Sequence, residues 1–205
     1  TVHTYNNDKS YLITPDTIVT KDYDGNDTHR DTAESFVYNT TNGNLEIHIQ
    51  YGEVEAYSAN DFVDILGDTL ITNYTYAIPQ NQSSNIVGFP SSEVMTDFYD
   101  TKVRETKYTY DNLSYGQVEK GNVTKVESWI EGEEYISQVS MYNVEGLVTS
   151  QIDAKNNITT IEYDEYNLYP NVVTDDQENQ IMYTYNYSNG KPIQVIDQNE
   201  NKTVY

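Results

Sequence analysis

The sequence has no cysteine, few basic residues, three histidines and no long apolar run. Without cysteine, a disulfide framework and any thiolate or zinc–thiolate site are excluded. The histidines, His3, His29 and His48, are scattered and belong to no catalytic or metal-binding motif. No stretch approaches the roughly 18 apolar residues of a membrane-spanning helix. We therefore expect no enzyme activity, no catalytic or cofactor-binding residues and no membrane insertion.

Negative charge dominates the chain. Acidic residues outnumber basic residues 33 to 11, and the formal net charge is −22. Such a surface repels nucleic acid and anionic membranes, so we expect neither as a partner. Solubility explains the acidity, and a cation-rich environment with divalent ions on the surface is the alternative. Carboxylate pairs are too frequent in so acidic a chain to indicate acid–base catalysis.

Asparagine glycosylation sequons are frequent. They begin at Asn26, Asn39, Asn73, Asn81, Asn112, Asn122, Asn157, Asn186 and Asn201. The motif marks surface positions in an exported chain, provided that the glycosylation machinery is present. An Asn- and Thr-rich β protein would also form it incidentally. Both interpretations favour an extracellular or cell-surface location.

The composition favours strands. There are 21 tyrosines but 4 phenylalanines and a single tryptophan, Trp129. Tyr, Thr and Val suit a pleated surface with one wet face. No window combines a sustained helical period with caps, so we predict an all-β fold with essentially no helix.

Local patterns place several strands. Leu45 to Tyr51 alternates for seven residues, which predicts a strand that buries Leu45, Ile47, Ile49 and Tyr51 on one face. Residues 11–14 and 17–20 are predicted as separate strands on either side of Pro15-Asp16. Residues 52–68 are predicted as a looser polar segment.

The last third of the chain repeats every 22 residues. The repeated positions are Asp153, Asp175 and Asp197, then Asn157, Asn179 and Asn201, then Ile161, Tyr183 and Tyr205. Tyr163-Asp164 and Tyr185-Asn186 follow in the same register. A fixed period of this size is typical of an array in which each unit must stack on its neighbours. Asp and Asn at fixed offsets suit turns, since their side chains bond nearby backbone amides.

Each unit contains, in order, a Tyr-Asp pair, a turn, a strand that ends in Asp, a second turn and a strand that ends in Tyr. This order resembles the YD repeat of the Rhs family. One such unit extends from Tyr142 through Asp153 to Tyr163-Asp164, and another extends from Tyr185-Asn186 through Asp197 to Tyr205. Residues 110–124 are similar to the segment that precedes the repeats in bacterial Rhs-type proteins. Two features depart from the pattern: Leu168 stands at the position of the turn glycine, and several Tyr-Asp pairs are Tyr-Asn.

The family includes toxin-complex B and C components, polymorphic toxins and teneurins. The resemblance implies a spiral of antiparallel β-hairpins, which forms a hollow shell around a toxic cargo or an extracellular scaffold. Its self-cleaving core motif is not visible here. We expect a divergent N-terminal hairpin strip at 1–87 and an Rhs/YD-repeat strip at 88–205, with 22-residue units at about 142–205.

Two segments match the first ligand positions of an EF-hand loop, Asp22 to Asn26 and Asp197 to Asn201. Both depart from the motif afterwards, since Asp27 and Lys202 stand at the glycine position. Turn chemistry explains both segments, and adventitious surface calcium is the alternative. We therefore expect no metal ligands and no cofactor.

Two functional hypotheses follow. The first is a non-catalytic structural module of an exported Rhs/YD-repeat protein, whose partners are the rest of a longer array and a toxin cargo. The second is a subunit of an extracellular filament, sheath or adhesin that assembles head-to-tail by strand addition and binds glycans through exposed tyrosine. Residues 1–6 resemble residues 181–186, so the chain starts in nearly the register where it stops, as both hypotheses expect.

Overall fold

The computed structural model describes residues 1–9, 12–25, 28–58, 61–65, 67–81 and 86–205. Within these ranges the regular structure is β-strand, and no residue is helical. The predicted all-β fold built from antiparallel hairpins is confirmed. No helix in the described part of the chain has the length and apolar character needed to cross a bilayer.

The strands follow one another closely along the chain. They are β1 (Val2–Lys9), β2 (Leu12–Tyr23), β3 (His29–Tyr38), β4 (Leu45–Ser58), β5 (Asp61–Asp64), β6 (Leu70–Tyr76), β7 (Ile78–Pro79), β8 (Pro90–Asp97), β9 (Lys102–Tyr110), β10 (Gln117–Val118), β11 (Val123–Glu131), β12 (Glu134–Tyr142), β13 (Val148–Ile152), β14 (Ile158–Tyr163), β15 (Pro170–Thr174), β16 (Gln180–Asn186), β17 (Lys191–Ile196) and β18 (Lys202–Val204).

Sixteen of these strands form a single sheet. Its order is β1-β2-β3-β4-β6-β8-β9-β11-β12-β13-β14-β15-β16-β17-β18, and β5 adds to the far part of β4. Each strand is antiparallel to its neighbours, as short hairpin connections require. The two-residue strands β7 and β10 pair in parallel and lie in the connections from β6 to β8 and from β9 to β11.

Two strand predictions in the N-terminal part are wrong. Residues 12–23 form one strand, not two, because Pro15 pairs with Tyr5 at a register shift where its missing amide is tolerated. The alternating strand after Leu45 does not end at Tyr51. Gly52 adopts φ +69° at an irregularity opposite Ala33 and Glu34, and the strand continues to Ser58.

The prediction that one face of this strand is buried is also wrong. Ile47, His48 and Ile49 are all half-buried, although they point to alternate faces. The sheet is a single layer here, so an alternating sequence produces two partly covered faces. Alternation predicts a strand correctly, but it does not show that another layer covers one side.

Among the described residues, the buried apolar side chains fall into two small clusters. One consists of Val19, Ala33, Val54 and Ala56, with Tyr51 and Phe62 packed against it. In the other, Ala77, Tyr110 and Val118 are enclosed where the two long connections fold back onto the sheet. Residues 125–205, all of them described, contain no fully buried residue. The repeat units therefore form no core of their own.

Candidate functional site: the tyrosine end of the sheet

Six tyrosines mark one end of the sheet, which we call the tyrosine end. They are Tyr38, Tyr76, Tyr110, Tyr142, Tyr163 and Tyr185. Each lies at or next to the end of its strand, before a connection to the next strand in the sheet. Since alternate connections of an antiparallel sheet lie at the same end, the six tyrosines form a row along one edge of the strip.

Each of these tyrosines lies beside a β-bulge. Tyr142 pairs with Val148, whereas Met141 pairs with Ser150, so Thr149 is an extra residue on the departing strand. The same offset occurs six times. The extra residues are Glu46, Ser91, Thr124, Thr149, Asn171 and Ile193. A bulge at one fixed place in each hairpin shows that the array extends well before the 22-residue units.

Four of the tyrosine hydroxyls connect neighbouring hairpins. The Tyr76 hydroxyl donates to the carbonyl of Leu45 at 2.7 Å, and Leu45 is the residue with which Tyr38 pairs. The series continues along the strip in the same way. The further bonds are Tyr110 to Pro90 at 2.7 Å, Tyr142 to Val123 at 2.9 Å and Tyr163 to Val148 at 3.0 Å. In each case the accepting residue pairs with the preceding tyrosine of the row. The phenol therefore buries its ring against one hairpin and bonds the backbone of the previous one.

No sequence motif reveals these bonds, and Tyr185, the last tyrosine of the row, does not form one within the described contacts. Tyr185 stacks on Tyr169, with 4.7 Å between ring centroids and 18° between ring planes. Burial raises the pKa of the Tyr110 phenol to about 12, so this hydroxyl remains a donor at neutral pH. The Tyr38-Asn39 and Tyr110-Asp111 pairs are the sequence signal for the upstream members.

An Asn or Asp side chain follows most of these tyrosines and organises the connection. The carboxylate of Asp111 accepts backbone amides from Glu119, Lys120, Gly121 and Asn122 at 2.8–3.0 Å. Burial raises the pKa of Asp111, but these four hydrogen bonds outweigh it and hold the pKa below its ordinary value. Asn143 and Asp164 each cap a shorter turn, in which the side-chain Oδ1 accepts two backbone amides.

The departure at Leu168 has a local solution. The turn after Tyr163 is one residue longer than the turn after Tyr142, since the Asp164 amide donates to Tyr169. Asn167 adopts the positive φ of 52° that glycine adopts in other turns. The turn is therefore retained without a glycine.

The opposite end of the strip carries a second turn type. Asp153 Oδ1 accepts the amides of Lys155 and Asn157, and Oδ2 accepts the Asn157 side-chain amide at 2.8 Å. Asp175 and Asp197 repeat this arrangement. The hydrogen bonds from Asn157 hold the pKa of Asp153 below its ordinary value. Asp97 forms the same backbone turn, which the sequence hides because Thr101 replaces the asparagine.

These bonds account for one of the EF-hand-like segments. Both carboxylate oxygens of Asp197 are engaged within its own turn. Asn26 and Asp27 of the other segment lie outside the described residues, and Asp24 accepts a hydrogen bond from Thr28. In the ranges that the structure describes, no group of three or more His, Asp or Glu side chains is arranged to hold a metal ion.

Two buried carboxylates lie away from both ends. Asp31 is 5% exposed; Lys21 Nζ lies 3.2 Å from Oδ2, and the Ala56 amide donates to the same atom. His29 Nδ1 lies 2.6 Å from Oδ1. Burial raises the pKa of Asp31, and these contacts outweigh it, so that the pKa is lowered.

The second buried carboxylate is Glu105, which is 8% exposed. It accepts hydrogen bonds from Tyr135 at 2.7 Å and from Lys102 at 2.9 Å, and Lys107 lies 3.3 Å away. Burial raises the pKa of Glu105, but these partners outweigh it and lower the pKa. The histidines do not meet: His48 bonds Glu34, His29 contacts Asp31 and His3 stacks on Tyr5.

No protein-family profile and no curated protein sequence matches the chain. Among solved structures, 94% of the chain aligns with a chain in the crystal structure of TcdB2-TccC3-TEV, at a TM-score of 0.66 and 10% identity. The crystal structure of TcdB2-TccC3 gives a TM-score of 0.43 at 12% identity, covering 94% of this chain and 15% of that chain. The Photorhabdus luminescens Tc holotoxin pore gives 0.40 at 15% identity, covering 95% and 13% respectively.

The first of these similarities identifies the fold. The chain spans 13% of the length of the TcdB2-TccC3-TEV chain that it matches. The antiparallel strip is thus similar in fold to one segment of a much longer chain in that structure.

Proposed function

We propose that this chain is a non-catalytic wall segment of an exported Rhs/YD-repeat protein, part of a shell or scaffold that encloses a toxin cargo. Its divergent strip at 1–87 and its repeat strip at 88–205 act as one continuous sheet. Its partners are the rest of a longer array and the enclosed cargo, and its location is extracellular or at the cell surface.

The observation that carries this proposal is the repeated tyrosine-to-backbone bond. Four successive hairpins bond the hairpin before them in the same way, from Tyr76 to Tyr163. A unit that bonds its predecessor identically can be added without limit, as a wall requires. The fold similarity to a toxin-complex chain supports the same role, and so does a sheet with no core in its last 81 residues.

The side chains support a structural role over a catalytic one. The carboxylates that are most strongly engaged, Asp111, Asp153 and Glu105, accept hydrogen bonds from the chain's own amides, lysines and tyrosines. Groups held ionised in this way fix turns and strand positions. They are poorly placed to exchange protons near neutral pH.

Electron microscopy of the full natural polypeptide that contains this segment tests the proposal. We expect discrete hollow particles, with protein density inside that disappears when the cargo-coding region is deleted. Tyr142→Phe in the same polypeptide should leave particles of unchanged outline but lower thermal stability. Solid particles without an interior space would contradict the enclosure.

The alternative is a filament, sheath or adhesin subunit. One observation favours it: β1 is eight residues long and pairs with β2 among the described residues, and a strand of a second chain added beside β1 would join subunits head-to-tail. Long regular fibres in the same images would establish this alternative over the shell. Glycan binding by such a subunit would show as retention on a glycan array, and an array without binding would contradict the glycan-binding part of this alternative.

A further inference from the structure

Four tyrosines at the tyrosine end, three from two neighbouring turns and one from the end of β16, form a contiguous cluster, the tyrosine platform: Tyr166, Tyr169, Tyr185 and Tyr187. The rings of Tyr166 and Tyr187 meet edge to face, with centroids 5.5 Å apart. Tyr169 connects them to the sheet, at 5.8 Å from Tyr187 and 4.7 Å from Tyr185. Tyr166 and Tyr187 remain 61% and 53% exposed. Large rings are therefore held in place while much of their surface faces solvent.

The platform is fixed by a carboxylate. Tyr187 donates its hydroxyl to Asp164 Oδ2 at 2.8 Å, and Asp164 Oδ1 accepts the amides of Tyr166 and Leu168. The hydrogen bond to Asp164, with the nearby charge of Glu165, raises the pKa of Tyr187 to about 12. The platform thus combines ordered aromatic rings with negative charge.

The same combination occurs on the sheet with a cation in place. Lys107 Nζ donates to the Tyr135 hydroxyl at 2.7 Å, and it lies 4.1 Å from the centroid of that ring and 3.3 Å from Glu105. Lys102 Nζ lies 4.6 Å from the Trp129 ring and 2.9 Å from the same carboxylate. In this protein, a lysine therefore occupies the space where a ring face and a carboxylate converge.

At the tyrosine platform, the chain supplies the rings and the carboxylate. The groups that act on Tyr187 and Tyr185 are Asp164, Glu165 and other tyrosines, all of them neutral or acidic. Across the described ranges, no ion pair or cation–ring contact joins a lysine or arginine to the four platform tyrosines. Tyr166, Tyr187 and Glu165 are exposed to solvent beside the half-exposed Asp164.

We propose that the tyrosine platform binds a basic peptide segment of a partner protein, whose lysine or arginine side chains lie over the Tyr166 and Tyr187 rings beside Asp164 and Glu165. The charge of the site is complementary to such a segment, and the occupied Tyr135 site shows the same chemistry. Neutral sugars also stack on tyrosine, but they gain nothing from the carboxylate charge. The proposal does not depend on whether the sheet encloses a cargo.

Calorimetric titration of the full chain with an octapeptide of alternating arginine and glycine tests this surface. A net charge of −22 attracts any basic peptide, so variants that keep the charge are needed. Tyr166→Leu/Tyr187→Leu removes the exposed rings. Tyr5→Leu/Tyr115→Leu is the matched control, because those tyrosines are 57% and 52% exposed. A glutamine–glycine octapeptide of equal length measures binding without charge.

We expect the platform variant to bind the basic peptide about fivefold more weakly than the wild type, while the control variant binds as the wild type does. Tyr187→Phe, which keeps the ring, should retain most of the affinity. Circular dichroism verifies that each variant is folded. Equal weakening in both double variants, or equal binding of the two peptides, would overturn the proposal. So would a neutral hexasaccharide whose binding is lost in the platform variant while peptide binding is unchanged.

Discussion

Residues 12–124 and residues 125–205 belong to the same sheet but are stabilised differently. The first region contains both clusters of buried residues and the buried carboxylates of Asp31 and Glu105. The second contains no fully buried residue, yet its strands pair just as regularly. The difference shows that a hairpin strip can be held by turn capping and cross-strand contacts alone, while local cores accompany irregular connections.

The position of the second cluster explains why the regions differ. Val118 is fully enclosed because the described parts of the two connections, residues 77–81, 86–89 and 111–122, fold back onto the sheet. Where the connections shorten to five or six residues, as after Tyr142 and Tyr163, no chain remains to cover a face. Burial in the second cluster therefore follows connection length, and substitutions should have graded effects in the two regions.

The largest difference should come from Val118→Ala. Val118 is completely buried, so removing two methyl groups should lower the free energy of unfolding by about 2 kcal/mol. Val144→Ala makes the same change at a residue that is 87% exposed, and it should alter stability by less than about 0.5 kcal/mol. Urea unfolding of both variants measures the contrast. Equal effects would show that the first region has no functioning core.

A second test concerns the glycines of the connection 111–122. Gly121→Ala should destabilise by about 1–2 kcal/mol more than Gly116→Ala. Both glycines have positive φ, but only at Gly121 would the new methyl group collide with the Phe89 ring. Thermal unfolding of the pair isolates this packing contribution from the shared backbone strain. A smaller cost at Gly121 would mean that Phe89 moves freely.

The tyrosine bond occurs in both regions and allows a direct comparison. Tyr110 is 3% exposed, so Tyr110→Phe leaves the Pro90 carbonyl without its donor in a buried setting and should cost about 1.5 kcal/mol. Tyr142→Phe, in the half-exposed repeats, should cost about 0.5 kcal/mol. Urea unfolding of both variants provides the measurement: the midpoint concentration should fall while the dependence of the unfolding free energy on urea stays constant. If the order were reversed, the bond would matter most where the core is absent.

The smallest effect should be the dependence of the repeat turns on pH. Hydrogen bonds from Asn179 lower the pKa of Asp175 in the folded state below the unfolded value of about 3.9. Its contribution to stability is therefore present above about pH 4 and is lost as the pH falls through the lowered folded pKa. Asp175→Asn should destabilise at pH 7, and the difference from the wild type should shrink as the pH falls through the lowered pKa.

Asp176→Asn is the matched control, since it removes the same formal charge at the next, exposed residue. It should change stability at pH 7 less than Asp175→Asn does, when both are followed by chemical unfolding across the pH range. A common response of the two variants would attribute the effect to the overall charge of −22 instead of the turn.

The sequence predicts the repeat turns well, because their residues are neighbours along the chain. Asp153 with Asn157 is a local pair, so its hydrogen bonds follow from spacing alone. The hydrogen bond from Tyr76 to Leu45 joins residues that are 31 positions apart, with an irregular insertion between them, and no fixed sequence period reveals it. The buried contacts of Asp31 and Glu105 depend on strand register, which composition does not determine.

The tyrosine-side bulges have a geometric consequence for the whole strip. Each adds one residue, about 3.3 Å of chain, to the strand that leaves the turn, and nothing to its partner. The two sides of every hairpin thus differ in contour length at this end, and the hairpin deflects. Because all six lie at the same position and on strands of the same direction, their deflections add together. We expect a strip built in this way to acquire a steady arc from its own covalent chain, without a template to bend it.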